Sequence, residues 1–141
     1  MYWYIKVIKN YAEFSGRARR KEFWMFGLIH ALIMIGLYVL MIASAAVAGE
    51  NATLPLIFMG LLGLYGLFIL IPGIAVMVRR LHDIGRTGWW WLIGLVPFVG
   101  AIVLLVFTVM EGEPGSNQYG ENPKETATSY GEHSHAASQT P

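Results

Sequence analysis

The chain has 141 residues, 55% of them hydrophobic and 13% charged, with a formal net charge of +1. Soluble domains carry about a quarter charged residues, so this composition excludes an ordinary water-soluble fold and implies one membrane-embedded domain. The absence of cysteine excludes a disulfide framework, a thiolate metal site and a Cys nucleophile.

In chain order, residues 1–22 read as an amphipathic, basic cytoplasmic segment. Trp3, Tyr4, Val7, Ile8, Tyr11 and Phe14 recur at helical spacing opposite Lys6, Lys9, Asn10 and Glu13, which predicts a short interfacial helix over the first 14 residues. Gly16 is placed to end it and Ser15 to cap the next helix. Three uncharged apolar runs follow, over 23–48, 54–78 and 89–110. Each exceeds the roughly 20 residues that cross about 30 Å of hydrocarbon as a helix. The expected fold is therefore an all-α membrane protein with three transmembrane helices. Pro72-Gly73 and Pro97 predict kinks in the second and third. Small residues (Gly27 and Ala31, Ser44 and Ala48, and Gly60, Gly63 and Gly66) predict close helix contact, within the bundle or between copies.

Ala46-Val47-Ala48 resembles a cleavage site, but signal peptides have apolar regions of about 7–15 residues and this run has 26, so no cleavage is expected. The sequon Asn51-Ala52-Thr53 lies too close to the membrane to be read as glycosylated. Residues 111–141 form a polar tail too poor in large apolar groups to offset chain entropy, which predicts disorder after about residue 123.

All Lys and Arg residues except Lys124 precede Trp89, and the five acids from Glu111 to Glu132 follow the last run. By the positive-inside rule the N-terminus and the loop 79–88 are cytoplasmic, and three spans then put the tail on the periplasmic side.

Two segments concentrate charge at the cytoplasmic face. Phe14-Ser15-Gly16-Arg17-Ala18-Arg19-Arg20-Lys21-Glu22-Phe23-Trp24 enters the first span, and Arg79-Arg80-Leu81-His82-Asp83-Ile84-Gly85-Arg86-Thr87-Gly88-Trp89-Trp90-Trp91 enters the third. With the tail motif Gly115-Ser116-Asn117-Gln118-Tyr119-Gly120-Glu121-Asn122-Pro123, they resemble a bacterial inner-membrane family catalogued as domain of unknown function 805, the YhaH/YhaI-like proteins. The resemblance covers residues 1–123. It implies an inner-membrane domain whose activity is not established.

The residues carry their own argument. Arg79, Arg80 and Arg86 set topology and reach lipid phosphates. Glu22 and Asp83 oppose lipid binding, so they are expected to pair with Arg17, Arg20, Arg79 or Arg80 in a network that bridges the two segments. Trp24, Trp89 and Trp90 read as headgroup-depth anchors, and Thr87 as a helix cap after a Gly85–Gly88 turn. His82 and Asp83 invite a catalytic or metal reading, but only Glu22 offers a third group and no nucleophile stands in a recognisable frame. His30, inside the first span, is expected to bond to a neighbouring helix. His133 and His135 read as solvated.

The function expected is non-enzymatic interaction with membrane lipids, another membrane protein or further copies of the chain, without cofactor, metal or nucleic acid. The alternatives are a transporter or channel oligomer, which the absence of intramembrane acids opposes, and a lipid enzyme using His82, Asp83 and Glu22.

Overall fold

The computed structural model describes residues 1–138 and contains helices without strands. In chain order they are α1 (Tyr2–Lys9), α2 (Arg20–Ala48), α3 (Thr53–Asp83), a 3-10 helix (Gly88–Leu95), α4 (Val99–Val109) and α5 (Pro123–Ser138). The 29 residues of α2 and 31 of α3 give about 44 and 46 Å of helix, enough to cross a bilayer. Both are apolar nearly all round. Leu28, Leu32, Ile35 and Val39 of α2 and Leu61, Leu64, Leu67 and Phe68 of α3 stand exposed, a surface suited to lipid and not to water.

The two long helices pack antiparallel. Glu22 meets Arg79 at one end, and His30 meets Tyr65 further along. The glycines expected to mediate close approach do not do so within the chain: a Cβ added to Gly27, Gly60, Gly63 or Gly66 would meet nothing within 4 Å. α3 runs through Pro72 to Asp83 as a single helix.

The expected third span is not one helix. Residues 88–95 form the tighter 3-10 helix, Val96, Pro97 and Phe98 reverse the chain, and α4 returns. Pro97 cannot continue the ladder, and Phe98 adopts φ 62°, a conformation few side chains tolerate. The reversal satisfies its own backbone, with Val96 N–H donating to Ile93 O (3.0 Å) and Gly100 N–H to Val96 O (3.1 Å). Gly100 packs directly on the Ile93 carbonyl, where a Cβ would clash. The 11 residues of α4 rise only about 16 Å, half a bilayer core.

Both ends of this hairpin lie beside the end of α3. Gly88 abuts Val78 and His82, and Met110 O accepts from Arg80. The tail from Glu111 is therefore held next to the N-terminal segment, not at the opposite end of the long helices as the three-span reading required. Nor is it structureless over 123–138, where α5 is helical, while the same expectation for 139–141 lies outside the described residues. Among the described residues α5 buries none, and near its start it is tethered by Lys124 donating to Glu111 (2.7 Å) and by Gly115 N–H donating to Glu125 (3.1 Å).

At the N-terminus α1 stops at Lys9, earlier than expected. Gly16 takes φ +83° in the linker, and Arg19, not Ser15, precedes α2, without a side-chain cap. Thr87 stands at the cap position of the 3-10 helix without a capping side-chain bond. Two apolar clusters flank the last turns of α3. Val7 of α1 packs with Ala18, Phe26, Ile69 and Val76, and Phe107 of the hairpin packs with Leu81 and Ile84.

Candidate functional site: a buried arginine–carboxylate network

The end of α3 is enclosed by the N-terminal segment on one side and the hairpin with its tail on the other. Successive helical residues point about 100° apart, so Arg79 turns toward α2, while Arg80 and Asp83, three apart, share the face toward α4. Arg79 Nη1 donates to Glu22 Oε1 (2.8 Å), and Arg17 Nε donates to Asp83 Oδ1 (3.0 Å). The linker and α2 thus each send one member to an opposite charge on α3. Backbone reinforces the join, with Ala18 N–H donating to Arg79 O at 2.9 Å.

Further donors complete the network. Lys6 Nζ donates to Glu22 Oε2 (2.8 Å), which brings α1 into it. Arg80 bonds Asp83, Thr108 O and Met110 O, and Arg17 bonds the carbonyls of Glu113 and Gly115. Glu113 N–H donates to Asp83 O at 2.7 Å. Two glycines permit this approach: a Cβ on Gly112 would strike the Asp83 carboxylate, and one on Gly85, at φ +73°, would strike Glu113.

Glu22 and Arg80 are 0% exposed, Arg79 and Asp83 4%, and Arg17 8%. Three buried arginines face two carboxylates, an excess of positive charge. Arg79 Nε and Nη2 are buried without a hydrogen-bond partner among the described residues.

The remaining predicted residues lie around this centre. Arg20 is at the surface, donating to Val109 O (3.1 Å) and Glu111 (3.2 Å). The hydrogen bond from Lys124, then the charges of Lys124 and Arg20, hold the Glu111 carboxyl below its ordinary value. His82 lies beyond the apolar run that ends at Val78. Its Nδ1 donates to Gly16 O (3.1 Å), and its ring stacks on Tyr119 at 3.9 Å and 2°. Arg86 projects over Trp90 (5.3 Å) and Phe107 (5.5 Å). Trp24 Nε1–H donates to Thr108 O (3.3 Å), Trp89 is 77% exposed, and Trp90 packs edge-on against Phe107.

Glu22, His82 and Asp83 do not converge: each has separate partners. Among the described residues no group of three His, Asp or Glu side chains could hold a metal. Sequence reasoning missed Lys6, Tyr119, Asn117 and the carbonyls of Thr108, Met110, Glu113 and Gly115. The signal for the tail residues was the Gly115–Pro123 motif, whose Asn117 Nδ2 donates to His82 O at 2.9 Å.

The model of a family described as a protein of unknown function (DUF805) matches residues 11–121. The chain is 47% identical over 124 residues to inner membrane protein YhaI of Escherichia coli strain K12, covering 88% of this chain and 97% of that protein. It is 42% identical over 126 residues to inner membrane protein YhaH of the same strain, with 88% and 98% covered. An uncharacterized protein of that strain, YiiR, is 28% identical over 139 residues, with 80% and 87% covered. No solved structure matches the chain.

Removing one partner of a buried ion pair strands the other and costs about 3–5 kcal/mol. Asp83 serves two arginines, so Asp83→Asn is expected to lower the detergent unfolding midpoint with a loss in that range. An unchanged melting curve would show that the pairing carries no stability.

Proposed function

We propose that this chain, which belongs to the DUF805 family, is a non-enzymatic inner-membrane protein that engages anionic lipid headgroups at its cytoplasmic face. The observation that carries the reading is the division of its cations. Arg17, Arg79 and Arg80 are buried among carboxylates and carbonyls and serve as structure. Lys9, Lys21 and Arg86 are exposed and pair with no carboxylate among the described residues, and the aromatic rings of Tyr2, Tyr11 and Trp89 are exposed as well. Such a rim suits an anionic interface, where each cation is worth about 1 kcal/mol and aromatic rings seat at headgroup depth. An enzymatic reading finds its two carboxylates already saturated by arginine and lysine.

The orientation follows from the same end of the molecule. The basic end faces the cytoplasm by the positive-inside rule. α2 and α3 cross the bilayer, the hairpin enters from the cytoplasmic side and returns, and the tail is cytoplasmic. Support for the last point is the set of bonds from Arg17, Arg20 and Arg80 to residues 109–115.

Two experiments test these claims. Native mass spectrometry of the detergent-released protein is expected to show retained anionic phospholipid, strongly reduced in a Lys9→Ala, Lys21→Ala, Arg86→Ala variant that melts like wild type. Equal retention by both proteins contradicts the lipid reading. A topology reporter fused after Pro141 is expected to report a cytoplasmic location, and periplasmic alkaline phosphatase activity would refute the re-entrant arrangement.

A further inference from the structure

Away from the charged end, a cavity of about 370 Å³ opens between α2, α3 and the hairpin, within the size range of small-molecule sites. Phe26, His30, Gly66, Gly73, Trp91 and Leu104 are among its lining residues, and none of the lining residues is charged. His30 is its one strongly polar group. The His30 ring is layered with Phe26 (6.4 Å, 11°) and Tyr65 (5.5 Å, 28°), which fixes its plane. Its Nδ1 lies 3.2 Å from Tyr65 Oη, and that hydroxyl lies 3.1 Å from Tyr4 Oη on α1. Nε2 has no hydrogen-bond partner among the described residues.

We propose that this cavity binds a neutral, membrane-dissolved lipophile with a flat oxygen-bearing ring, of the quinone or phenol class, held through His30 Nε2. The absence of charge on the walls selects against ionic ligands. His30 lies eight residues beyond Glu22 on α2, about 12 Å from the charged layer. Phospholipid oxygens stay at headgroup depth, so an acyl chain brings no partner to Nε2, whereas a ring dissolved in the hydrocarbon does.

The tyrosine pair lets the site meet either ligand oxygen. With Tyr4 donating to Tyr65 and Tyr65 to Nδ1, the imidazole proton sits on Nε2 and donates to a carbonyl. With the chain reversed, Nε2 accepts from a hydroxyl. The ring has an aromatic layer to lie against, and Gly66 and Gly73 leave room for a tail, since a Cβ at either meets nothing within 4 Å. This inference is independent of the headgroup reading, because none of its residues belongs to the cationic rim.

The test uses the full chain in zwitterionic nanodiscs titrated with decyl-substituted benzoquinone, read by quenching of tryptophan emission and compared with decane. Wild type is expected to saturate, His30→Phe to bind about tenfold more weakly for loss of one hydrogen bond, and Gly73→Leu to lose saturable binding because its side chain fills the cavity. Gly66→Leu fills the same space and replaces Gly73→Leu if that variant does not fold. Decane is expected not to compete at equal concentration. Identical isotherms for wild type and the filled variant, an unaltered isotherm in His30→Phe, or equal displacement by decane would each overturn the proposal.

Discussion

The structure depends on two carboxylates buried among arginines at one end of a lipid-facing helix pair. An unpaired charge taken out of water costs several kcal/mol, so Glu22 and Asp83 are tolerable only with opposite charges held against them. The arginines are equally constrained, and that mutual need ties together segments distant in sequence. Arg17 reaches Asp83, Arg79 reaches Glu22, and Lys6 brings in α1. Hydrophobic burial alone would not select this arrangement, because apolar helices lose little by facing lipid instead of one another.

The same constraint explains the hairpin. A 22-residue apolar run is long enough to cross as a helix, yet its second end is drawn back to the first. Arg80 and Arg20 offer donors to the carbonyls of Thr108, Met110 and Val109, the groups that a terminating helix leaves without partners. Pro97 and Phe98 supply the reversal, and Gly100 lets the two arms touch. The tail then contributes carbonyls to Arg17 and a ring to His82, so what reads as a disposable polar extension closes the charged end.

Much of this was legible in the sequence. Two long uncharged runs give the two long helices. Acids placed beside basic, membrane-facing segments signal pairing, since topology alone has no use for them. The third run misled because length and hydropathy do not register a reversal. Pro97 predicts a kink, and only contacts with Arg20, Arg80 and Ile93 turn a kink into a hairpin. Partners of the arginines were less legible still, because most are main-chain carbonyls, which carry no residue signature. The tail helix fell outside compositional reasoning, since a polar segment that buries nothing gives no apolar period to read. Tyr4 and Tyr65 stayed hidden as a pair because their meeting with His30 depends on how α1 lies against two helices.

The central claim, that cross-segment charge pairs hold this end together, is tested most directly by a double-mutant cycle on Glu22 and Arg79. Unfolding free energies of wild type, Glu22→Gln, Arg79→Met and the double variant are measured in one detergent. The account predicts that each single change destabilises strongly and that the double change costs less than their sum, with a coupling energy of about 1.5–3 kcal/mol. Single effects that simply add, to within about 0.5 kcal/mol, would contradict it.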